Sequence, residues 1–228
     1  MLNFKNKVSK IGGWLTRREG EFLYKSAKNL SPKAPVVEIG SWKGRSTICL
    51  ATGAKEVKGY YVYAVDHHKG SSEHLEIFGK IDTFEQFKTN IKKSEVSKYI
   101  KPIKLSSEKA SKKINKKISM LLIDGSHEIN NVRNDFKLWF PKVIKGGFVC
   151  FHDTFSFKFP GPGIVTAEIL LSSKHVRKPK MIDTMTYFEK CEKNTTKERL
   201  INKLFIAYRI LPGLLGSVRI NLCGTNLK

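Results

Sequence analysis

The sequence holds no stretch of eighteen or more uninterrupted apolar residues, so no segment reads as a bilayer span. Its opening residues, MLNFKNKVSKIGGWL, lack the apolar run of a secretory signal. A cytoplasmic protein is the expectation. Cysteine is scarce: Cys49, Cys150, Cys191 and Cys223 stand in unrelated contexts without a CxxC, which argues against a zinc knuckle and a disulfide framework. Cys49 and Cys150 read as small core residues. Acids are under-represented, with 20 Asp and Glu against 42 Lys and Arg, for a net charge of +22. Such a field can recruit nucleic acid, anionic lipid or a phosphorylated substrate, although a lysine-rich composition also serves solubility alone. The excess is uneven, since residues 80–117 carry twelve Lys against four acids. Internal repeats and low-complexity linkers are absent too. At 228 residues and 40% hydrophobic, the chain suits one α/β domain, or one with a short appendage.

What is present is an alternation of short apolar runs with amphipathic segments. LTRREGEFLYKSAKNL (15–30) has helical spacing and is stopped by Ser31-Pro32. APVVEIG then reads as a strand ending on glycine, and GRSTICLATGA as the helix after it, the opening of a βαβ unit. YYVYAVD (60–66) is a second strand, IDTFEQFKTNIKKSEV (81–96) an amphipathic helix, and HHKGSSEHLEIFGK between them a loop. YIKPIKLSS, SEKASKKINKK and SMLLIDGS give a third strand, a lysine-coated helix and a fourth strand. NNVRNDFKLWFPKVI is expected to be helical, Gly146-Gly147 to turn it, and FVCFHDT to form a fifth strand. After the loop TFSFKFPGPG, IVTAEILLSS reads as a helix and MIDTMTYFEKC as a terminal strand that a hairpin could supply. The fold class is therefore α/β: a Rossmann-like, doubly wound, mostly parallel sheet with an antiparallel terminal strand.

Four places in this pattern carry chemistry. Glu38-Ile39-Gly40-Ser41-Trp42-Lys43-Gly44 lies between a strand and a helix, where glycines let a ligand approach the backbone and helix amides are free. Its spacing is not GxGxxG, which points away from dinucleotides. Asp66 ends the second strand, where an acid can accept from both ribose hydroxyls, or simply cap the next segment. Asp124 and His127 follow the fourth strand; His152 and Asp153 end the fifth. Ligands bind outside the carboxyl ends of the strands in open α/β sheets, so these groups should converge on the Gly40–Asp66 pocket. Two carboxylates and an imidazole there can hold Mg²⁺ or Mn²⁺, or act as a base and its orienter. His67, His68 and His74 are weaker candidates for any role.

APVVEIGSWKGRSTICLA, YAVDHHKGS, LLIDGSHEINNVRNDFKLWFPKVIKGG and FVCFHDT together resemble class I S-adenosylmethionine-dependent methyltransferases of the macrocin O-methyltransferase and cephalosporin-hydroxylase-like group. The resemblance spans roughly residues 10–190, which implies a methyltransferase domain over 1–190 and a basic amphipathic tail over 191–228. It implies that Glu38, Gly40, Ser41 and Gly44 face the amino acid end of S-adenosylmethionine, that Asp66 takes the ribose, and that Ser106 or Ser107 lies near the adenine. Asp124 is implied at the cofactor as well. Metal-dependent members carry acids matching Asp124 and Asp153. Here His152 replaces the first of two adjacent acids, and a base acid near the fourth strand is matched only by His127.

The expected reaction is in-line attack of an acceptor hydroxyl on the sulfonium methyl, with His127 and Asp124 as catalytic groups and Asp124, His152 and Asp153 as the metal set. The acceptor is expected to be small and oxygen-rich, a sugar or glycosylated metabolite, with residues 154–163 forming part of its wall. A nucleic-acid methyltransferase using the basic surface is the alternative, but no NPPY-like motif is present. A non-catalytic binding protein on the same fold is the other. In the tail, Leu200, Leu204, Ala207 and Leu211 form one stripe flanked by Arg199, Lys203, Arg209 and Arg219, with Pro212-Gly213 expected to break the helix. That stripe can pack on the domain or on a second subunit, bind anionic lipid, or gate the substrate.

Overall fold

The computed structural model describes residues 8–30 and 34–216. Helix α1 (Arg17–Lys28) precedes β1 (Val36–Ile39), α2 (Arg45–Val57), β2 (Val62–Val65), α3 (Ser72–Phe78) and α4 (Phe84–Lys93). Then follow β3 (Ile100–Ile103), α5 (Ser107–Lys113), β4 (Ile118–Ile123), α6 (Ile129–Trp139) and β5 (Val143–Phe151). The chain continues through α7 (Gly161–Ser172), β6 (Val176–Ile182), β7 (Met185–Lys190) and α8 (Thr196–Phe205). The strands form one seven-stranded sheet in the order β3-β2-β1-β4-β5-β7-β6. β1 to β5 are parallel, and β7 runs antiparallel between β5 and β6. This is the expected fold class.

Strand periodicity divides the core in two. Val36, Val62, Ala64, Met120, Leu122 and Cys150 face the layer of Leu23, Ile48, Leu50 and Phe87, while Val37, Val65, Leu121, Val149 and Phe151 face Val132, Trp139 and Leu170. Both faces are covered, which is why every residue of β1 and β4 is buried, Glu38 and Ser119 included. Cys49 and Cys150 are fully buried, as expected.

The strand order reverses at β1, which has β2 on one side and β4 on the other. Connections leave the carboxyl ends of β1 and β4 in opposite directions and open a crevice there. Its entrance is tied to α1 by a capping box: Thr16 Oγ1 accepts from the Glu19 amide at 3.2 Å, and the Thr16 amide donates to Glu19 Oε2 at 2.8 Å.

Three local expectations are corrected. Residues 67–80 are not all loop, because Ser72–Phe78 is helical, held by Ser71 contacting His74 Nδ1 at 2.7 Å. The helix is only seven residues long and buries none of them, so it leaves no 3.6-residue hydrophobic period to read. Gly146-Gly147 does not turn a helix into a strand; β5 begins at Val143 and runs through the pair, with its register shifting against β4 between Ile118 and Met120. Gly146, at φ +79°, supplies the bulge. Finally, Pro212-Gly213 does not end the tail helix. A π-turn over Ile206–Ile210 absorbs the irregularity, and residues 211–216 stay helical.

Candidate active site

Two adjoining cavities run along the carboxyl ends of the parallel strands, about 390 and 450 Å³, each within the range of small-molecule sites. Both are lined by Gly40, Trp42, His74, Asp124 and Gly125, so they form one crevice.

The first half is built by backbone. Gly40 sits at φ +86°, and a Cβ there would overlap the Asp124 carbonyl oxygen, so only glycine lets β1 and β4 end side by side. The Gly40 amide donates to Val65 O at 2.9 Å and the Asp124 amide to Ile39 O at 2.8 Å. Gly44, at φ +88°, is the N-cap of α2. Asp66 draws the turn inward: its Oδ2 accepts from the Ser41 and Trp42 amides at 2.9 and 2.8 Å, and its Oδ1 from the His68 amide at 2.6 Å. Asp66 thus caps the glycine turn while lining the second cavity.

Glu38 is fully buried beneath this turn, and Thr47 Oγ1 donates to its Oε2. Burial pushes its carboxyl up to about 7, and the hydroxyls in the first turn of α2 oppose that only in part. Glu38 Oε1 and Ser41 Oγ are buried without hydrogen-bond partners among the described residues. Unsatisfied polar atoms behind a glycine cradle fit a polar ligand end that would complete them. At the far end, Ser106 and Ser107 line the second cavity beside Asp135. Ser107 Oγ already accepts from the Trp139 indole at 2.9 Å, and burial raises Asp135 to about 6.

The second half is a charge cluster. His152 is buried, with Nδ1 at 3.1 Å from Asp124 and 3.0 Å from Asp153, and Nε2 at 3.2 Å from Glu19. Burial works to lower its pKa, but three carboxylates outweigh burial and hold it well above the ordinary value. Asp153 adopts φ +54°; burial raises its pKa, and His127 and His152 more than reverse that, keeping it ionised. His127 Nε2 lies 3.2 Å from Asp153. An ionised carboxylate only accepts, so Nε2 carries a proton, and in the neutral imidazole Nδ1 then holds the lone pair. That Nδ1 is buried without a hydrogen-bond partner among the described residues, 3.5 Å from Glu73. Burial lowers the pKa of His127, but Asp153, Glu73 and Asp124 bring it above the ordinary value. Phe159 stacks on the ring at 4.4 Å.

The structure brings together Gly40, Ser41, Asp124, His127, His152 and Asp153 on the first cavity, and Gly40, Asp66, Ser107 and Asp124 on the second. Glu38 and Gly44 support the turn from behind. His67 lines the second cavity, whereas His68 is not brought in. His67 Nδ1 accepts from the Lys69 amide, and His68 is buried against Thr83, Phe84 and Phe87. His74 does join, stacked on Trp42 at 4.3 Å with Trp14 beside both.

Sequence reasoning missed Glu19, Glu73, Trp14 and the tether from Arg45 Nη1 to Gly13 O at 2.6 Å, which closes residues 12–15 over the cavity. Only the Thr16–Glu19 spacing could have flagged Glu19, and it announces a helix start rather than a buried acid. The loop at 154–163 does form a wall, through Ser156, Lys158 and Phe159.

A doubly wound sheet in this order, with a glycine turn at the switch point and polar groups at the ends of β4 and β5, defines a class I methyltransferase architecture. The chain belongs to the methyltransferase-domain family whose model matches residues 37–154, just over half of its length. Solved structures agree in fold. The O-methyltransferase NovP superimposes with a TM-score of 0.64 at 14% identity, covering 77% of this chain and 80% of that one. TomG of Streptomyces achromogenes, an O-methyltransferase in complex with SAM, gives 0.60 at 14% identity over 78% and 82%. An rRNA methylase of Streptococcus thermophilus gives 0.54 at 14% identity over 79% and 100%. A fold shared this widely leaves the acceptor to the site.

Proposed function

We propose that this protein transfers the methyl group of S-adenosylmethionine to a hydroxyl of a small oxygen-rich acceptor, a sugar or glycosylated metabolite, with His127 as general base. The observation that carries this reading is His127 Nδ1, a buried nitrogen without a hydrogen-bond partner among the described residues, in the same crevice as the glycine turn; with Nε2 donating to Asp153, it is the nitrogen that holds the lone pair in the neutral ring. S-adenosylmethionine supplies an electrophilic methyl on a sulfonium. Gly40, Ser41 and Glu38 would seat its amino acid end, Asp66 its ribose, and the Ser106–Ser107 end of the crevice its adenine. The acceptor would lie between Trp14, Trp42, His74 and Phe159, flat rings suited to the C–H faces of a sugar. Lys158 adds a donor at the rim. His127 Nδ1 takes the hydroxyl proton as the oxygen attacks, and Asp153 stabilises the imidazolium that results.

The same cluster fits a divalent cation. Asp124, His152 and Asp153 offer ligand atoms within 4.8 Å of one another, and the Nε2 contact with Glu19 is the carboxylate support a ligating histidine uses. Mg²⁺ or Mn²⁺ held there would lower the pKa of an acceptor hydroxyl. A nucleic-acid acceptor is the second reading, favoured by the lysines on α4 and α5, and it predicts strongly salt-dependent RNA binding.

Titration calorimetry tests the cofactor half. Asp66→Ala should weaken S-adenosylmethionine binding by about 1.5–3 kcal/mol, the scale of hydrogen bonds to a charged group. An unchanged dissociation constant overturns the assignment. For the acceptor half, His127→Gln should cut turnover on a saccharide panel by about 10²–10⁴-fold while binding of the methyl donor persists. EDTA separates the two roles of Asp124 and Asp153: lost turnover restored by Mg²⁺ assigns them to metal, and full activity in EDTA assigns them to positioning.

A further inference from the structure

We propose that the exposed face of residues 196–216 docks this protein on an anionic lipid surface. Two opposite faces of this helical segment are put to different uses. Asn202, Ile206 and Ile210 are buried, and Asn202 Nδ2 donates to Val176 O at 3.2 Å, which fixes the segment to β6. The stripe that the sequence singles out faces solvent instead. Leu200 is 57% exposed, Leu204 48%, Tyr208 75% and Leu215 62%, with Ile201 and Leu211 also exposed. Leu171, on neighbouring α7, extends the patch at 56%. Solvated leucines at spacings of three and four along one helical face are a surface awaiting a cover.

Charge selects the cover. Lys197, Arg199, Lys203 and Arg209 are exposed in the same segment, and among the described residues no ion pair engages them. The one acid of 196–216, Glu198, is already held by Arg177 at 3.3 Å. A second copy of the chain docked face to face would bring two such sets of cations together. An anionic leaflet neutralises them and takes up the leucines at once. No described helix is long and apolar enough to cross a membrane, so the contact would lie in the interfacial plane. The segment also touches the crevice wall: Gly213 and Gly216 are closed off by Phe155 and Phe157 of the 154–160 loop.

The test is co-sedimentation of the full chain with phosphatidylcholine vesicles, with and without phosphatidylglycerol. The expected result is binding to the anionic vesicles alone, weakened on the order of tenfold or more by high salt. The variant Leu200→Glu, Leu204→Glu, Tyr208→Glu should lose it. These side chains are exposed, so the variant should keep its affinity for S-adenosylmethionine, which controls for folding. Equal sedimentation of the variant and the parent overturns the proposal, as does binding to neutral vesicles or to none. A dimer in analytical ultracentrifugation that the same variant splits assigns the face to a second copy, and also overturns it.

Discussion

The glycine-turn half of the crevice and the charge-cluster half are built by different means. In the first, backbone amides and carbonyls do the positioning: Gly40, Ser41 and Trp42 are held by Asp66 and the ends of β1, β2 and β4, elements consecutive at the switch point. In the second, side chains from α1, β4, β5 and the β6–β7 turn meet around His152, and Thr184 donates to Glu19 Oε1 across 165 positions of sequence. Local chain geometry makes the first half robust and legible. The second exists only when the tertiary structure is complete, and it stores its order as electrostatic energy.

Glu19→Gln presses hardest on that contrast. The amide can still accept from His152 Nε2, but it removes one of three carboxylates around a buried imidazole, and losing a charge-assisted hydrogen bond costs about 1.5–3 kcal/mol. Urea unfolding should show that loss, while S-adenosylmethionine affinity should change within about twofold, because the glycine turn is assembled separately. A collapse of both would show the two halves to be one unit. The pH dependence carries the sign. His152 has a folded pKa above its unfolded value, so its stabilisation is full below the unfolded value and is lost as pH rises through the folded one. Glu19→Gln lowers the folded value, so the alkaline decline should begin at lower pH.

How much of this could be read from the sequence follows the same division. Gly40, Asp66, Asp124 and Asp153 were legible because strand ends in a doubly wound sheet point at one crevice, and each lies within a residue or two of an apolar run. Glu19 and Glu73 were not, because a carboxylate on a helix looks the same in sequence whether it faces water or a buried imidazole. The apolar stripe of the tail is legible but its destination is not; Asn202, with Ile206 and Ile210, marks the side that faces the domain. His68 shows the reverse error, a histidine placed beside Asp66 in sequence and turned into the core by Phe84 and Phe87.

A smaller effect should separate Glu38 from the cluster. Its folded pKa of about 7 lies above the unfolded carboxyl value, so between roughly pH 4.5 and 7 the native state keeps a proton that the unfolded state has lost. Stability must therefore fall as pH rises through that window, by up to about 1.4 kcal/mol per pH unit from this group. Asp135, raised to about 6, acts with the same sign over a narrower range. Glu38→Gln should flatten the slope by the share that this group contributes. An unchanged slope would mean that Glu38 is ionised in the folded protein, paired by groups other than those around it here.

The smallest expected effect concerns Ser107, which the resemblance places at the adenine. Its Oγ is committed to the Trp139 indole at 2.9 Å, and Trp139 is fully buried between α6 and the sheet. Removing the hydroxyl leaves a buried N–H without an acceptor, so Ser107→Ala should lower stability by about 1 kcal/mol. It also removes the hydrogen bond that restrains Asp135, whose carboxyl should then titrate above about 6. If Ser107 serves the fold in this way, S-adenosylmethionine affinity should change by less than about threefold, well under one full hydrogen bond to the ligand. A tenfold loss of affinity with unchanged stability would reverse the assignment. It would place the hydroxyl on the adenine, and make this end of the crevice one built by side chains, like the cluster around His152.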